Sequence, residues 1–415
     1  MAETLREACG IFGVYAPGED VARLTFYALF ALQHRGQESS GIATADGHHI
    51  HAHTGMGLVA QVFTERTIAR LGGRSAIGHH RYSTTGSSRL ANAQPVLLEG
   101  PGDHLALAHN GNIINAPPLR QELEEQGLTF RSSTDSEVIA QLIQTAPGRD
   151  ILARIRHVCN RLRGAYSLTI LTPDGLIGVR DPFGVRPLCL GQLDGGWVLA
   201  SETCALDHIG AEFRREVEPG EIVLINGEGV FSDRGDSSRK ALCIFEYIYF
   251  ARPDSVINGK LLHPCRMAMG RHLAREYPVA ADLVMGVPDS ATAAGIGYSN
   301  ESGIPYGEGL IKNRYVGRTF IEPAQRLREL GVRLKFNPLP QVLEGKRVVV
   351  VDDSIVRGTT TPHVVSLLRR AGATEIHLRI CAPPIRHPCF YGVDMANRRE
   401  LIAARMDIPA IARFV

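Results

Sequence analysis

The chain has 415 residues, which at about 150 residues per domain predicts two to three domains. Its 45 lysines and arginines nearly balance its 43 aspartates and glutamates, and the formal net charge of +2 argues against a nucleic-acid binder held by a basic face. With 44% apolar and 21% charged residues, the composition is that of a soluble globular protein and excludes a disordered chain.

The N-terminal segment and the cysteines both indicate a cytoplasmic protein. Residues 1–8 are polar and lack the apolar stretch of a secretory signal. No apolar run approaches the ~20 residues that a membrane span needs. The eight cysteines form no C-x-x-C pair, and a chain of this length does not need disulfides to be stable. We therefore expect a reducing, cytoplasmic setting and neither a membrane nor a nucleic-acid partner.

The first half of the chain is predicted to contain many short strands and few helices. Three short apolar runs are typical of strands: residues 8–15, 76–78 and 105–108. Residues 22–34 have helical spacing, and residues 135–144 are predicted to form a helix with an acidic first turn. Any of three hydroxyl residues can cap that second helix: Ser132, Ser133 or Thr134. Alternating runs over residues 167–225 predict a β-meander.

A polar stretch at residues 232–240 predicts a domain boundary, and the pattern changes beyond it. The apolar runs at 282–287 and 347–351 are each followed by a loop and a helix. The unbroken β-branched run of the second is typical of a strand in a parallel sheet. A helix is predicted over residues 361–371, closed by Gly372. Alternating strands and helices indicate an α/β sheet.

The string V-V-D-D-S-I-V-R-G-T-T at residues 350–360 has the features of a phosphate site. Two acids, Asp352 and Asp353, end a buried strand, and a loop rich in hydroxyls precedes a helix. Backbone N–H groups at a helix N-terminus, with Thr hydroxyls, cradle phosphate. The carboxylates would repel phosphate unless they hold sugar hydroxyls or a hard cation such as Mg²⁺. The alternative is a strand-to-helix turn with a solvated acidic pair, which the apolar run and the hydroxyls together disfavour.

This string resembles the ribose-phosphate signature of the type I phosphoribosyltransferases. The resemblance implies that Asp352 and Asp353 hold the ribose and Mg²⁺. It further implies that the loop after them surrounds the 5′-phosphate of phosphoribosyl pyrophosphate with these residues: Ser354, Arg357, Gly358, Thr359 and Thr360.

Two more segments resemble that family. V-P-D-S at 287–290 resembles its pyrophosphate-side loop, which implies that Ser290 lies near the metal. K-N-R-Y at 312–315, followed by G-R-T-F at 317–320, resembles its mobile lid. Lys312 and Arg314 would stabilise the charge that builds on the leaving pyrophosphate and exclude water. Without the signature nearby, these two cations would be ordinary surface charges.

Cys9 precedes G-I-F-G and by itself indicates a buried cysteine on an N-terminal strand. Three further strings change that interpretation: Q-H-R-G-Q-E-S-S-G at 33–41, G-H-H-R-Y-S-T-T-G at 78–86 and A-H-N-G-N at 108–112. Together with Asp135, they resemble the glutaminase domain of the N-terminal-nucleophile amidotransferases.

That resemblance implies a role for each site residue. The Cys9 thiol attacks the side-chain amide of glutamine and releases ammonia, and water clears the thioester. As residue one, Cys9 would use its own α-amine, which titrates at about 7.7–8.0, as the base. The Asn110 amide and the Gly111 N–H would form the oxyanion hole. Arg81 would pair with the α-carboxylate of glutamine and Asp135 with its α-ammonium group.

Together the two halves resemble the glutamine phosphoribosylpyrophosphate amidotransferase family, and C-I-F-E-Y-I-Y-F-A-R-P-D-S at 243–255 resembles its domain junction. The implied fold joins a four-layer αββα N-terminal-nucleophile hydrolase domain over 9–235 to a type I phosphoribosyltransferase domain with a parallel sheet over 240–415. Residues 1–8 would be a cleaved leader. The implied reaction opens purine synthesis. Glutamine, phosphoribosyl pyrophosphate and water give 5-phosphoribosylamine, glutamate and pyrophosphate, while ammonia passes between the sites. The implied partners are the two substrates, purine nucleotides as feedback inhibitors, and further copies of the chain in a dimer or tetramer.

The match departs from the family at two places: directly after the phosphate loop, and at the C-terminus, where this sequence stops at Val415 and family members are expected to continue with further helical segments. Thr361-Pro362 follows the phosphate loop where the family has Ser and a polar or basic residue, although Pro is tolerated in a first helical turn. One subclass of the family holds a [4Fe–4S] cluster by four cysteines. Cys243 and Cys389 match two of those ligand positions, and the other two positions are expected beyond residue 415, outside this chain. The alternative for both cysteines is a small buried residue.

Two alternative functions compete with this one. A non-catalytic paralogue that senses phosphoribosyl pyrophosphate would keep the pocket without the chemistry, and the intact Cys9, Arg81, Asn110, Asp135 and lid cations argue against it. An amidotransferase that forms an amino sugar lacks support, because nothing after residue 240 resembles an isomerase domain.

Overall fold

The computed structural model describes residues 9–82, 88–100, 104–235, 239–313, 335–393, 395 and 397–415. The predicted leader at 1–8, Arg314 and the rest of the predicted lid at 315–320 lie outside the described residues. Within the described part, no helix is both long and apolar enough to cross a membrane.

The described part before residue 236 is built from strands and helices that alternate unevenly along the chain. The strands are β1 (Gly10–Tyr15), β2 (Ser39–Ala45), β3 (Ile50–Met56), β4 (Ser75–Arg81), β5 (Val96–Glu99), β6 (His104–Ile113), β7 (Gly164–Leu171), β8 (Leu176–Arg180), β9 (Cys189–Leu193), β10 (Gly196–Ala200), β11 (Glu212–Glu216), β12 (Glu221–Asn226) and β13 (Gly229–Arg234). The α-helices are α1 (Val21–Ala31), α2 (Val59–Val62), α3 (Glu65–Ile68), α4 (Ala116–Glu125), α5 (Asp135–Thr145), α6 (Ile151–Cys159) and α7 (Thr203–His208), with 3₁₀ turns at Gln33–Arg35 and Leu90–Asn92.

These strands form two antiparallel sheets packed face to face. The first has the order β11-β9-β10-β1-β4-β2-β3 and the second the order β13-β12-β8-β7-β6-β5. Side chains alternate along β1, so that Ile11 packs between the sheets while Phe12 packs against helices. Helices α1, α2, α3 and α7 cover the first sheet, and α4, α5 and α6 cover the second. The four-layer αββα fold predicted from the resemblance is confirmed.

The single β-meander predicted for residues 167–225 is wrong. Strands β7, β8 and β12 belong to the second sheet, whereas β9, β10 and β11 belong to the first. Both sheets bury one face against the same inter-sheet core, so their strands carry the same alternating pattern. The local sequence therefore identifies strands here without indicating which sheet they join.

The predicted helix at 135–144 is confirmed as α5, which begins at Asp135 and ends at Thr145. Thr134 is the capping residue among the three candidates, because its hydroxyl accepts from the backbone N–H of Glu137 over 3.3 Å. The cap orders the backbone at the point where α5 presents Asp135.

The described part after residue 239 contains a small parallel sheet and its flanking helices. The strands are β14 (Val256–Ile257), β15 (Lys260–Leu261), β16 (Leu283–Gly286), β17 (Leu310–Lys312), β18 (Phe336–Pro338), β19 (Arg347–Asp352) and β20 (Glu375–Ile380). The α-helices are α8 (Leu262–Glu276), α9 (Thr292–Ser302), α10 (Pro340–Leu343), α11 (Thr360–Arg370) and α12 (Ile408–Phe414), with a π-helical turn at Glu246–Phe250 and 3₁₀ turns at Arg398–Glu400 and Ile402–Ala404.

Strands β16, β19 and β20 pair in parallel, with β19 in the centre. Val348 and Val350 face one core and Val349 and Val351 face another, so both faces of β19 are buried. This burial explains the unbroken valine run and confirms the predicted parallel sheet. Loops at the carboxyl ends of β16 and β19 lie at the same edge of the sheet, where the predicted phosphate site falls. That the chain divides into domains at residues 235–240 stays a prediction.

Candidate active sites

The thiol of Cys9 is buried at the start of β1, beside the end of β4. Its Sγ donates to the carbonyl oxygen of Tyr82 and accepts from the Tyr82 N–H, each over 3.4 Å. Burial raises the pKa of this thiol, while the Tyr82 contact and the charge of Arg81 oppose that rise. Asp135 raises the same pKa through its charge, so Arg81 and Asp135 both act on the thiol. A buried, protonated thiol needs a base before it can act as a nucleophile.

Asn110 and Gly111 lie next to each other on β6. Within the described residues, neither Oδ1 nor Nδ2 of the fully buried Asn110 has a hydrogen-bond partner. A buried polar group without a partner costs about 1–3 kcal/mol, so a free amide here indicates a place for a ligand. Gly111 has φ +149°, and a Cβ at this position would collide with the carbonyl oxygen of Ala165. Glycine is therefore required beside the free amide.

Asp135 faces the same end of β6 from the first turn of α5. Its Oδ2 accepts from the N–H of Ile113 over 2.9 Å, and its Oδ1 lies 3.7 Å from Nδ1 of His109. Burial raises the pKa of this carboxyl, but the His109 and Ile113 contacts outweigh burial and lower it overall. Asp135 therefore presents a fixed negative charge, which suits recognition of an ammonium group.

One hydrogen bond ties the two sheets together at this point. Nε2 of His79, on β4, donates to the carbonyl oxygen of His109, on β6, over 3.1 Å. His79 precedes Arg81 by two residues and His109 immediately precedes Asn110. This hydrogen bond thus joins β4 and β6 close to two site residues, the buried Arg81 at the end of β4 and Asn110 on β6.

A second candidate site is a cavity of about 270 Å³ at the carboxyl edge of the parallel sheet. Seven of the residues predicted to bind phosphoribosyl pyrophosphate or its metal line it: Ser290, Lys312, Asp352, Asp353, Ser354, Gly358 and Thr360. Further lining residues were missed by the sequence reasoning, namely His34, Tyr249, Phe250, Arg252, Arg266 and Lys335. His34, Tyr249, Phe250 and Arg252 lie in strings that resemble the family, but no spacing rule indicated that His34 would reach this cavity.

The two adjacent carboxylates hold different positions in the cavity. Asp353 accepts from the Ser290 hydroxyl over 2.7 Å and from the Ser354 hydroxyl over 2.6 Å. The backbone N–H of Asp353 donates to Asp352 Oδ1 over 2.9 Å. Burial, together with the charge of Asp353, raises the pKa of Asp352 well above its usual range. This edge of the cavity therefore favours a proton, a cation or a hydroxyl donor beside Asp352.

Two of the cations predicted to bind phosphoribosyl pyrophosphate, Lys312 and Arg357, differ in their position relative to the cavity. Lys312, on β17, donates to Asp289 Oδ2 over 2.6 Å at the rim of the cavity. Arg357 instead donates to Glu400 over 2.8 Å. Among the described loop residues, Arg357 and Thr359 do not line the cavity, although the sequence predicted both to surround the phosphate. The local pattern could not show that Glu400, 43 residues later, accepts from Arg357.

Cys243 and Cys389 lie in one small apolar cluster with Phe245, Val393 and Met395. Burial raises the pKa of Cys243, and the nearby Cys389 raises it further. Within the described residues, no three His, Cys, Asp or Glu side chains are grouped closely enough to hold a metal ion. The two thiols are thus near each other without a third protein ligand from the described part of the chain.

The fold and these two sites define a class of protein: an N-terminal-nucleophile glutamine amidotransferase joined to a type I phosphoribosyltransferase. The model of the glutamine amidotransferase domain family matches residues 79–208. An amidophosphoribosyltransferase of Synechocystis is 56% identical over 418 residues, covering 99% of this chain and 84% of the relative. The Archaeoglobus fulgidus amidophosphoribosyltransferase is 52% identical and covers 98% of this chain and 89% of its own.

Solved structures agree. The glutamine phosphoribosylpyrophosphate amidotransferase of B. subtilis, in complex with ADP and GMP, matches with a TM-score of 0.92 at 49% identity, covering 98% of this chain and 88% of that one. The chain belongs to the amidophosphoribosyltransferase family. The predicted glutamine-dependent glycosyltransferase of purine biosynthesis is confirmed, and nothing supports the sensing paralogue.

Proposed function

We propose that Cys9 hydrolyses glutamine in the first half of the chain and that the ammonia reacts with phosphoribosyl pyrophosphate in the cavity of the second half. The observation that carries the proposal is the buried Asn110 amide, whose oxygen and nitrogen both lack a partner among the residues that the structure describes. A donor that is buried and free before substrate arrives is the arrangement that stabilises a developing oxyanion.

The chemistry at Cys9 begins with removal of residues 1–8, which frees its α-amine. That amine takes the thiol proton, and Sγ attacks the amide carbon of glutamine. The Asn110 amide and the Gly111 N–H receive the negative oxygen, and the α-amine returns the proton as ammonia leaves. Water then clears the thioester and releases glutamate. Arg81 and Asp135 select a free amino acid, because a peptide lacks one or both of the charges they bind.

In the cavity, Asp352 and Asp353 accept hydrogen bonds from the ribose hydroxyls. The loop at 354–361 surrounds the 5′-phosphate with backbone N–H groups and the hydroxyls of Ser354 and Thr360. Lys312, together with Arg314, neutralises the pyrophosphate as it leaves. Asp289 is the partner that Lys312 exchanges for the substrate, since the two side chains are 2.6 Å apart.

The donor set of the cavity fits Mg²⁺. Asp352, Asp353 and the Ser290 hydroxyl would supply hard oxygen ligands, and burial and the charge of Asp353 raise the pKa of Asp352, which supports a cation beside this carboxyl. Bound there, Mg²⁺ would offset the charge of the pyrophosphate group. Within the described residues, Cys243 and Cys389 supply two of the four thiolates that a [4Fe–4S] cluster needs, so the reaction is assigned to the other residues named here.

Regulation, assembly and location are proposed from the family. The B. subtilis relative is solved with ADP and GMP, which supports purine nucleotides as inhibitors of this chain as well. We further propose a homo-oligomer, either a dimer or a tetramer, in the cytoplasm. The glutaminase domain is assigned to residues 9–235 and the phosphoribosyltransferase domain to 240–415.

One assay tests the proposed function. Glutamine hydrolysis is measured with and without phosphoribosyl pyrophosphate, and pyrophosphate release is measured with glutamine and with ammonia as the nitrogen source. We expect pyrophosphate from both nitrogen sources and glutamate from the first. Glutamate without pyrophosphate would leave only a glutaminase, and pyrophosphate from neither source would contradict the proposal.

A further inference from the structure

Four fully buried charged side chains lie between the two candidate sites: Arg35, Arg186, Glu202 and Glu246. These four side chains come from segments far apart in the sequence; for example, Arg35 and Glu246 are separated by 211 residues. Burying charged groups is costly unless they are paired, and replacing such a set by apolar side chains often stabilises a protein. A set of this kind is therefore weak evidence for stability. Its contacts instead join Cys9 to the wall of the cavity.

Arg35 connects the set to the nucleophile. Its Nε donates to the carbonyl oxygen of Cys9 over 3.1 Å. Its Nη1 donates to Glu202 over 2.5 Å and its Nη2 to Glu246 over 2.9 Å. Burial lowers the pKa of this guanidinium, but the two carboxylates outweigh burial and raise it. Arg35 is thus a permanent charge, and the position of the two glutamates determines where it holds the Cys9 backbone.

Glu202 connects the set to the cavity. Its Oε1 lies 2.7 Å from Nε2 of His34, and its Oε2 accepts from the backbone N–H of Arg252 over 2.8 Å. His34 and Arg252 both line the cavity. Burial opposes ionisation of Glu202, but His34 and Arg35 lower its pKa, so it carries a charge. An ionised carboxylate only accepts, so Nε2 of His34 must donate to it.

A second connection runs through Glu246. This residue begins the π-helical turn Glu246–Phe250, whose last residues, Tyr249 and Phe250, also line the cavity. Each carboxylate that accepts a hydrogen bond from Arg35 is therefore joined to the wall of the cavity. The shortest route has three contacts: His34 to Glu202, Glu202 to Arg35, and Arg35 to the Cys9 carbonyl.

We propose that His34 and Glu202 are positioning residues that couple occupancy of the phosphoribosyl pyrophosphate cavity to the placement of Cys9 through Arg35. The inference rests on the proposed function, because it requires an anionic substrate in this cavity. Nε2 of His34 carries one proton, which can be donated to Glu202 or to a phosphate oxygen. A substrate phosphate that accepts this hydrogen bond takes it away from Glu202, which changes the interaction of Glu202 with Arg35. The interaction free energy at Arg35 then depends on whether the cavity is occupied, and coupling between the two sites requires such a difference.

The test uses His34, whose side chain is 25% exposed, because replacing a fully buried glutamate risks unfolding the protein. His34→Gln places an amide nitrogen near the position of Nε2 and can still donate to Glu202. His34→Asn keeps a polar group near Nδ1, which contacts the Ala31 carbonyl oxygen over 3.2 Å, but cannot reach Glu202. His51→Asn is the matched control, because it removes a histidine–carboxylate pair at Asp46 on the exposed surface.

The readout is the ratio of glutamine hydrolysis with phosphoribosyl pyrophosphate to that without it, beside ammonia-dependent pyrophosphate release. We expect His34→Asn to lower the ratio by about fivefold or more, as typical coupling energies imply. This loss should exceed any loss of ammonia-dependent turnover. His34→Gln should retain most of the ratio, and His51→Asn all of it.

Three results would overturn the inference: an unchanged ratio in His34→Asn, an equal loss in His34→Gln, or an equal loss of ammonia-dependent turnover. A wild-type enzyme that releases pyrophosphate but whose glutaminase ignores phosphoribosyl pyrophosphate would also overturn it, leaving the two-site function intact. A wild-type enzyme that releases no pyrophosphate from either nitrogen source would contradict the proposed function instead.

Discussion

The Sγ atom of Cys9 lies 3.4 Å from both the N–H and the carbonyl oxygen of Tyr82, so one residue both donates to the thiol and accepts from it. The N–H contact favours a thiolate, whereas the carbonyl contact favours a thiol. Burial tips the balance, since it raises the pKa of Cys9. The resting nucleophile is therefore protonated and depends on a neighbouring base, for which the proposed free α-amine is the candidate.

Replacing Cys9 by Ala should abolish use of glutamine while leaving synthesis from high concentrations of free ammonia. The reason is that the cavity at the parallel sheet is separate from the thiol. Pyrophosphate release with each nitrogen source measures both activities. Cys189→Ala is the control, because Cys189 is also buried and donates to a backbone carbonyl oxygen, that of Ala200, over 3.3 Å. It should keep both activities, and loss of both in folded Cys9→Ala would argue against two separate sites.

The mature protein should begin at Cys9. The proposed base is the α-amine of that residue, and an amine engaged in a peptide bond to Ala8 cannot accept a proton. Intact-mass analysis of purified, active protein gives the position of the N-terminus directly. Fully active protein that retains residues 1–8 would contradict the proposed base.

Asn110→Ala should lower the turnover of glutamine by about 10²–10³-fold, the usual effect of removing one oxyanion donor. Stability should not fall, because the amide that the substitution removes is buried and has no partner in the described part of the chain. Steady-state kinetics and urea unfolding check the two parts. Asn115→Ala is the contrasting control, since the Asn115 amide is bonded to the backbone of Arg161 and of Arg163, each over 2.9 Å. It should lose stability and keep activity, and a strongly destabilised Asn110→Ala would argue for a structural amide.

Local patterns predicted those parts of the molecule that local forces determine. The valine run of β19 reflects burial on both faces, and the cap of α5 is set by Thr134 within a few residues. Contacts between distant segments left no local signal. The Arg35–Glu202 pair spans 167 residues and the Arg357–Glu400 pair spans 43. For the same reason, the alternation in β9 and β10 identified strands without identifying their sheet.

Stability should fall as the pH drops from about 6.5 to about 4, partly because of His80. Burial lowers the pKa of this histidine from 6.5 to about 4, although its bond to the Leu29 carbonyl opposes the change. Between these two pH values the unfolded chain therefore binds a proton at His80 that the folded protein does not bind. The stability that is present above pH 6.5 is lost as the pH falls toward 4. The full difference corresponds to about 3 kcal/mol.

Urea unfolding at several pH values measures this loss for the wild type and for His80→Gln, which can still donate to the Leu29 carbonyl but does not titrate. The variant should have a shallower dependence on pH. It should not be flat, because burial also lowers the pKa of His79 well below its usual value. Equal slopes for the variant and the wild type would show that His80 does not carry the effect.

Asp353→Asn should weaken phosphoribosyl pyrophosphate binding by roughly tenfold to a hundredfold, since one charge-assisted contact contributes ~1.5–3 kcal/mol. Asp352→Asn should do the same. The KM for phosphoribosyl pyrophosphate, with ammonia as the nitrogen source, is the measurement. Asp282→Asn is the control: Asp282 precedes β16 at the opposite end of the sheet and pairs with Arg347 over 2.8 Å, so the KM should not change. Basal hydrolysis of glutamine at Cys9 should persist in both cavity variants, whereas its stimulation by phosphoribosyl pyrophosphate should fade.

Asp352→Asn should also make the unliganded protein more stable near neutral pH. Burial and the charge of Asp353 raise the pKa of Asp352, so the folded protein binds a proton above pH 3.8 that the unfolded chain has released. The stability that this proton contributes is present at low pH and is lost as the pH rises through the raised pKa. An Asn at this position imitates the protonated acid at every pH and removes the repulsion from Asp353.

A variant that binds substrate more weakly yet resists urea better at neutral pH would mark Asp352 as a residue kept for binding at a cost in stability. Wild-type affinity in both Asn variants, or a loss of stability in Asp352→Asn, would count against this assignment.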